Sequence, residues 1–423
     1  MDWPDPPPPN GVTLLRVSGD DGVEFVDQQN AEWPELDIES HLPLHVIRVC
    51  SVSIHRGELK PAARGGDHDP PACSVPGYEF SGYVVATSPR SPLMPGTEVF
   101  GMTSFTRTGN ARTLTVAKFH EIARKPACLT WDESAATPIN ALTAFQALFD
   151  YRLLYQPSLR DWGIGAGNKA HNSKKIILIT GASSPAGLWA VQLAKAAGAG
   201  KIYATSDPRC YGHVQTVGAD KVLHIEDRDM TGFADCPRFS TVLDLVGGAV
   251  LTRAWSLVAP GGKVLSVVTD TAQARPAGAD PTIQHYNFRL RSSSRQLAVI
   301  GSLLDRKEVH PVISNGQDTF DFIRYRDAIE QMRTNFHRHV VLRMPNDRPP
   351  PPRPPRDLIR QLRLRGPRWD DVHDFDKLNV DKAEHEDPPQ ELPAGFWPVM
   401  RLADDVESTT PPPLSLDRSH PDG

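Results

Sequence analysis

The sequence predicts an α/β protein in which a small, partly closed β-barrel is followed by a doubly wound parallel sheet. Between residues 12 and 123, short apolar runs are separated by glycine and proline, which is typical of β-structure. Between residues 176 and 269, β-branched strands alternate with helical segments, which indicates a parallel sheet with helices on both faces. The 40 prolines concentrate at the two ends, so residues 1–10 and the proline-rich tail 345–423 are predicted to be disordered.

The individual elements follow in chain order. In the barrel part we expect strands at 44–49 and 83–86 and a tight turn at 95–101 that enters a strand. A helix starts near residue 132, helix-forming residues continue over 141–153, and the polar residues 155–173 are predicted to form an inserted surface loop. Further strands are predicted at 176–180, 201–205, 221–224, 241–246, 263–269 and 339–344. Further helices are predicted at 188–197, 250–257, 296–304 and 325–332, and one more helix is predicted to end at residue 218.

Composition argues against several functional classes. A net charge of −5 over 423 residues argues against non-specific nucleic-acid binding, which needs a basic surface. No apolar run approaches the roughly 20 residues of a membrane span, and the N-terminus lacks the features of a signal peptide. The five cysteines form no C-x-x-C pair, so neither a disulfide framework nor a four-thiolate zinc site is expected. We therefore expect a cytoplasmic protein with reduced thiols.

The most informative segment is the turn at 181–187, which lies between the strand at 176–180 and an alanine-rich helix. A strand, a turn of small residues and a helix N-terminus together present backbone N–H groups to a pyrophosphate. The motif departs from G-x-G-x-x-G because its middle glycine is replaced, and an ordinary strand-to-helix turn in a protein that binds another ligand is the alternative. The predicted cofactor contacts here are Gly181, Ser183, Ser184, Pro185, Ala186 and Gly187.

The end of the next strand bears on the choice of nucleotide. Enzymes that use NAD place an acidic residue there, whereas enzymes that use NADP avoid that charge and supply cations. Thr205 and Ser206 are neutral, and Arg209 is placed to reach a 2′-phosphate. We therefore predict NADP(H), although Asp207 lies close to the same position. The alternative for Arg209 is a solvated loop charge.

Several motifs in order resemble the quinone oxidoreductase and enoyl reductase branch of the medium-chain dehydrogenase/reductase superfamily. The resemblance covers about residues 12–344. It is carried by the segments 53–59 (SIHRGEL), 76–82 (PGYEFSG), 99–103, 135–138 with 142–148 (LTAFQAL), 181–192, 243–248 (LDLVGG) and 260–263 (PGGK). Each segment is weak on its own, but their shared order supports the fold prediction.

The resemblance implies a GroES-like substrate domain at 11–140, a Rossmann NADP-binding domain at 141–295 with the loop insert 155–173, and a return to the substrate domain at 296–344. It also implies a homodimer and hydride transfer to a small-molecule quinone or to an enone or enoyl substrate, with His55, Tyr78 and Thr143 as candidate catalytic residues. Thr143 is also expected near the nicotinamide. Val246, Gly247 and Val268 complete the expected cofactor contacts.

The resemblance also bears on metal binding. Zinc-dependent relatives carry a cysteine where His55 aligns, a histidine where Tyr78 aligns and a further cysteine near Ile139. Because a catalytic zinc needs three nitrogen or sulfur ligands, no metal site is expected here.

Two departures from the family pattern keep other functions open. Ser184 and Pro185 stand where the family has two glycines, and Arg338-His339 replaces a Gly-Lys pair that helps to bind the cofactor. One alternative is therefore a catalytically weak or inactive binding protein, with the segment 349–356 as a polyproline II ligand for an SH3- or WW-type partner. Another is a trans-acting enoyl reductase of a polyketide pathway.

Overall fold

A computed structural model of the chain describes residues 12–18, 22–28, 44–59, 75–87, 91–156, 166–224, 236–313, 318–334 and 339–345. The predictions for residues 1–10 and for the tail after residue 345 lie outside these residues. Of the helices that the structure describes, none combines the length and the apolar character needed to cross a membrane.

The first lobe is built around a mixed, largely antiparallel sheet. Within the described residues, its strands run in the order β14-β15-β3-β4-β5-β7, and β6 pairs with β3. A separate antiparallel pair is formed by β1 and β2. The strands of this pair and of the larger sheet are β1 (Val12–Ser18), β2 (Gly22–Gln28), β3 (Leu44–Ile54), β4 (Glu79–Thr87), β5 (Glu98–Met102), β6 (Leu114–Lys118), β7 (Ile122–Arg124), β14 (Thr319–Asp321) and β15 (Val340–Arg343). The chain therefore returns to this lobe after the second one, as the resemblance implies.

The second lobe is a parallel sheet with the strand order β10-β9-β8-β11-β12-β13. Its strands are β8 (Ile176–Ile179), β9 (Lys201–Ser206), β10 (Lys221–His224), β11 (Phe239–Asp244), β12 (Val258–Ser266) and β13 (Gln284–Asn287). Strand order reverses between β8 and β11, and ligands of doubly wound sheets bind at the carboxyl ends of strands beside such a point. This confirms the predicted α/β fold.

Helices cover this sheet and join it to the barrel. They are α1 (Trp131–Ala135), α2 (Pro138–Phe149), α3 (Ala166–Asn172), α4 (Pro185–Ala196), α5 (Tyr211–Thr216), α6 (Gly248–Ser256), α7 (Ser294–Asp305) and α8 (Tyr325–Thr334). Every residue of α2 is buried, because this helix shares a core with α4 of the second lobe and with Tyr78 and Phe100 of the first lobe.

The structure corrects the prediction of a loop at 155–173. Its C-terminal part is the helix α3, and the fully buried side chain of Asn172 anchors this helix. The Asn172 amide exchanges two hydrogen bonds with the backbone of Tyr155 and donates a third to the carbonyl of Ala197. The short polar segment shows little apolar periodicity, so the helix was not predicted from sequence.

One helix boundary and two strands also differ from the predictions. The helix α2 ends at Phe149, and Arg152 has a φ of +54°, a conformation that no helix continues. The strands β13 and β14 were not predicted. Each is short, and their residues are half-buried or exposed, so neither shows the apolar signature of a central strand.

Candidate active site

The turn between β8 and α4 has the geometry of a phosphate-binding site. Gly181 has a φ of +65°, and a Cβ at this position would lie 2.9 Å from Cγ2 of Val246. A Cβ at Gly187 would lie 2.4 Å from the carbonyl oxygen of Gly181, so the helix packs directly on the turn. Both positions therefore require glycine. They bring the N-terminus of α4 to the carboxyl edge of the sheet, where negative charge is favoured.

Some polar groups of this turn are hydrogen-bonded to each other, whereas others have no hydrogen-bond partner among the described residues. The Ser184 hydroxyl accepts from the Gly187 N–H at 3.1 Å and donates to a carbonyl of the turn at 2.8 Å. Pro185 begins the helix and has no N–H. Within the described residues, the buried Ser183 hydroxyl has no hydrogen-bond partner. The Ala186 N–H belongs to the first helical turn and has no intrahelical acceptor. Ser183 and Ala186 are thus the groups best placed to engage a phosphate.

The neighbouring strand β9 holds the turn in place. The Thr205 hydroxyl accepts from the Gly181 N–H at 3.1 Å, and the Thr205 carbonyl accepts from the Ala182 N–H at 2.8 Å. Ser206 is buried, and its hydroxyl donates to the carbonyl of Asp207 at 3.0 Å. The structure therefore gives Thr205 a role in fixing the turn that the sequence did not suggest. Cofactor contact by Thr205 and Ser206 stays a prediction.

A buried carboxylate, Asp244, joins the ends of three strands. It accepts from the hydroxyls of Thr180 at 2.6 Å and Ser266 at 2.8 Å. It also accepts from the backbone N–H groups of Val246 at 3.3 Å and Gly247 at 3.0 Å. Burial raises the pKa of Asp244, and these donors oppose the shift. Because its partners follow or end β8, β11 and β12, Asp244 sets the position of the loop after β11.

That loop brings the remaining predicted cofactor residues to the same edge. Gly247 has a φ of +78°, and a Cβ there would lie 3.3 Å from Cγ1 of Val268. Val246 lies against Gly181, as described above. The structure therefore gathers Val246, Gly247 and Val268 beside the phosphate turn. The small residues, the helix N-terminus and the unpartnered Ser183 hydroxyl fit the pyrophosphate of a dinucleotide.

Arg209 lies beyond the end of β9, and its guanidinium is paired. Its Nε and Nη2 atoms donate to the two carboxylate oxygens of Asp207 at 2.9 and 2.7 Å. The Arg209 side chain is 81% exposed, and the hydrogen bonds and charge of Asp207 raise its pKa. The structure thus shows a fixed, exposed cation beside an acidic residue. Contact between Arg209 and a 2′-phosphate stays a prediction.

A second polar cluster lies where three strands of the barrel meet. His55 follows the end of β3, Glu79 begins β4, and His339 precedes β15. Because β3 is antiparallel to both neighbours, with Ser53 opposite Glu79 and Ile54 opposite Val340, these three side chains share one end of the sheet. The His55 Nε2 atom lies 2.8 Å from Oε1 of Glu79. The rings of His55 and His339 stack with their centroids 5.7 Å apart.

Glu79 also connects this cluster to the second lobe. Its other oxygen, Oε2, accepts from the backbone N–H of Ile139 in the first turn of α2 at 2.8 Å. One turn further along α2, Thr143 is fully buried, and its hydroxyl has no partner among the described residues. The cluster therefore contacts the first turn of α2, and Thr143 lies one turn further along the same helix.

Two further groups complete the surroundings of His55. The Glu58 carboxylate accepts from the backbone N–H groups of His55 at 3.0 Å and of Gly77 at 2.5 Å, and so ties two loops together. Burial, the largest cause, raises the pKa of Glu58 to about 7. The Tyr78 ring is buried and packs edge-on against the Phe105 ring, with the two ring centroids 4.9 Å apart. Burial and the nearby charge of Glu58 raise the pKa of Tyr78, so it keeps its hydroxyl proton at neutral pH.

The donor set at this position does not fit a catalytic zinc ion. The Nε2 atom of His55 is hydrogen-bonded to Glu79, both oxygens of Glu79 are engaged, and Tyr78 packs against an aromatic ring. In the part of the chain that the structure describes, no group of three or more His, Cys, Asp or Glu side chains has a metal-binding arrangement. We therefore derive no chemistry from a metal.

Comparisons with known proteins assign the family. A family model described as "Zinc-binding dehydrogenase" matches residues 217–338, a segment that contains neither His55 nor Tyr78. The "Probable zinc-binding oxidoreductase, mitochondrial" of Arthroderma benhamiae is 30% identical over 264 residues, which cover 62% of this chain and 77% of the relative. The chain belongs to the medium-chain dehydrogenase/reductase superfamily. It falls in the quinone and enoyl reductase-like branch and is an oxidoreductase.

Two further comparisons agree with this assignment. The "2-methylene-furan-3-one reductase" of Solanum lycopersicum is 28% identical over 275 residues, which cover 63% of this chain and 62% of the relative. The solved quinone oxidoreductase from Coxiella burnetii matches with a TM-score of 0.63 and 20% identity, and covers 78% of this chain and 99% of that one. At this identity the match shows a shared fold, a GroES-like barrel with a Rossmann sheet.

Sequence reasoning alone missed the roles of Asp244, Glu58 and His339. The signal for Asp244 was its position at the carboxyl end of a buried strand beside the phosphate turn. The signal for His339 was a histidine placed directly before a buried strand. Neither position identifies a partner, because the partners come from segments far away in sequence.

Proposed function

We propose that this superfamily member is an NADPH-dependent reductase that transfers a hydride to a quinone or to an α,β-unsaturated carbonyl without zinc. The observation that carries the proposal is the phosphate turn, in which two required glycines, a helix N-terminus and an unpartnered Ser183 hydroxyl meet at the point where strand order reverses. The names of the tomato reductase and of the Coxiella protein support the two substrate classes.

Bound NADPH would supply the hydride. The chain's own contribution is to orient the two reactants and to place hydrogen-bond donors where negative charge develops on the acceptor oxygen. We propose that Thr143, His55 and Tyr78 line the reaction site. The unpartnered Thr143 hydroxyl is available to a ligand, and the raised pKa of Tyr78 keeps it a donor. Gly181, Ser183, Ala186, Gly187, Val246, Gly247 and Val268 are proposed to surround the nucleotide.

An acceptor screen tests the function as a whole. Purified full-length protein is mixed with NADPH and, in separate reactions, with a quinone, a small enone and an enoyl thioester, and NADPH oxidation is followed by absorbance. We expect turnover with at least one of the first two classes. Turnover with only the enoyl thioester would favour the polyketide enoyl reductase alternative, and no oxidation with any acceptor would exclude the proposal.

The preference for NADPH depends on Arg209 and is tested by two opposite changes. Arg209→Ala should raise the KM for NADPH by about tenfold, the scale of one lost charged hydrogen bond, and leave the KM for NADH nearly unchanged. Asp207→Ala removes the carboxylate that pairs with Arg209, so it should strengthen the preference for NADPH. If the two KM values do not converge in Arg209→Ala, the 2′-phosphate assignment is wrong.

One observation favours the inactive-scaffold alternative. Pro185 offers no N–H, and the Ser184 hydroxyl and the Gly187 N–H are bonded to each other, which reduces the number of donors for a phosphate. Calorimetry with NADPH and with NADH separates the two functions, because a scaffold of this kind would give no binding heat with either nucleotide.

Three other expectations stay proposals. We propose a homodimer and a small-molecule substrate as the partners of this chain. The SH3- or WW-type partner depends on the tail, which lies outside the described residues. A cytoplasmic location stays a prediction, and the Arthroderma relative carries the word mitochondrial in its name.

A further inference from the structure

His339 is the feature of the cluster that the proposed function leaves unexplained. It is only 7% exposed, and neither ring nitrogen has a hydrogen-bond partner among the described residues. Buried polar atoms are rarely left unsatisfied, because each has lost its hydrogen bonds to water. A neutral histidine with two unused nitrogens therefore indicates a ring kept for exchange with a ligand or a proton.

The stacking partner of His339 is a histidine whose protonated form is favoured by nearby carboxylates. The rings of His55 and His339 are nearly parallel, at 28°, with centroids 5.7 Å apart. Burial by itself lowers the pKa of His55, but the hydrogen bond and charge of Glu79, with the charge of Glu58, raise it above its ordinary value. Burial and the charge on His55 lower the pKa of His339 to about 4, against the opposing charges of Glu79 and Asp318.

Among the described residues, the titratable groups that act on the pair come from several elements. Glu79 begins β4, Glu58 and Tyr78 lie in the loops beside His55, and Asp318 precedes β14. Asp318 accepts from the Gln331 amide at 2.9 Å. Two positive rings this close in a buried site would repel each other strongly, which disfavours the doubly protonated pair.

We propose that His55 is the acid of the reductase reaction and that Glu79 and His339 are its positioning residues. This inference rests on the proposed function. Glu79 fixes the proton on the His55 ring, and stacking against the neutral His339 ring holds His55 in place. When His55 has lost its proton, the repulsion ends, and His339 becomes the ring able to accept the next one.

The proton balance of the step is simple. Hydride arrival at the acceptor adds two electrons and leaves one negative charge on its oxygen or on the carbon next to its carbonyl. An N–H bond of His55 breaks, and an O–H or C–H bond of the product forms with that proton. His55 becomes neutral, and solvent returns one proton to the histidine pair.

A titration that needs no substrate tests the pair directly. Histidine ring resonances of the full-length protein are assigned with His55→Gln and His339→Phe and followed by NMR against pH. We expect His55 to titrate above its ordinary pKa in the wild type and below that value in Glu79→Gln. In His55→Gln we expect the pKa of His339 to rise, because a neighbouring positive charge has gone.

A matched control lies at the other end of the same strand. His45 is the second residue of β3, is fully buried, and lies about 30 Å from His55 at the usual rise per strand residue. Its titration should not respond to any change in the pair. If the resonances of His339 are unchanged in His55→Gln, the shared-proton pair is excluded.

Kinetics test the acid role with the same variants. His55→Gln should lower kcat by about a hundredfold, which is the lower end of the usual contribution of a general acid to the rate. The KM for NADPH should not change. Because the acid must be protonated, kcat should fall as pH rises, and Glu79→Gln should move this fall to lower pH. His339→Phe keeps a stacked ring but removes both nitrogens, and we expect about a tenfold lower kcat on the same scale.

Four further outcomes would overturn the inference. A purely structural role predicts lower kcat without a shift of the pH profile. His339→Phe with wild-type kcat and an unchanged His55 titration would show that the His339 nitrogens are idle. A larger loss in Tyr78→Phe than in His55→Gln would assign the acid to Tyr78. Absence of turnover with every acceptor would exclude the proposed function and the acid role, whereas the titration would still decide whether the pair shares one proton.

Discussion

The two buried polar clusters of this protein differ in how completely their hydrogen bonds are satisfied. In the Rossmann lobe, Asp244 accepts from two hydroxyls and two backbone N–H groups. Between the lobes, the Thr143 hydroxyl and both nitrogens of His339 are buried without partners in the described residues. A satisfied network holds the backbone in one conformation. Unsatisfied atoms cost stability, and the proposal that these groups serve a ligand or a proton gives a reason for that cost.

The largest expected effect is a loss of stability when the acceptor of the satisfied cluster, Asp244, is removed. Asp244→Ala leaves four buried donors without an acceptor, so we expect it to lower the free energy of unfolding by about 4 kcal/mol. Denaturant unfolding of the full-length protein measures this loss. Asp270→Ala, at the same edge of the sheet, is the control and should have a much smaller effect. A loss below about 1 kcal/mol in Asp244→Ala would mean that the loop after β11 is held by other contacts.

The next effect concerns acid stability and a buried histidine far from either cluster. Burial lowers the pKa of His45 from 6.5 to about 4. The unfolded chain then binds more protons between these pH values, so stability is lost as pH falls from 6.5 toward 4. The loss from this residue is about 3 kcal/mol. His45→Gln should flatten the stability profile over this range.

A matched control for this prediction removes the partner and keeps the titrating ring. The His45 Nε2 atom lies 2.7 Å from the hydroxyl of Ser91. Ser91→Ala should shift the whole stability curve but keep its slope between pH 4 and 6.5. An equal slope in wild type and His45→Gln would show that His45 does not titrate in this way.

The smallest effect compares two threonines and sharpens the contrast between the clusters. Thr143→Val removes an unpartnered buried hydroxyl, so it should leave stability unchanged or raise it by up to about 1 kcal/mol. Thr180→Val removes a hydroxyl that donates to Asp244 at 2.6 Å and should lower stability by about 1–2 kcal/mol. Thermal unfolding distinguishes the two.

The same pair of variants has opposite consequences for activity. If Thr143 contacts the reactants, Thr143→Val should lower kcat although it does not lower stability. A variant with both normal activity and lower stability would show that the hydroxyl has a structural partner. The Thr143 hydroxyl would then resemble the hydrogen-bonded groups around Asp244 and not the unpartnered nitrogens of His339.

The sequence by itself determined the fold and the position of the phosphate turn. Short apolar runs separated by glycine and proline, and alternating strand and helix segments, are local signals, and they predicted β3, the core strands β8 to β12 and the helix α4. The glycines at 181 and 187 are also local signals, because a turn of this kind leaves no space for a side chain.

Only the tertiary structure decided which polar groups meet. His55, Glu79 and His339 come from three antiparallel strands, and His55 and His339 are separated by most of the two lobes in sequence. Arg209 looked like a free cation in sequence but is paired with Asp207 in the structure. Hydrogen bonding and desolvation depend on distances between segments, and strand pairing sets those distances, which no local pattern of residues encodes.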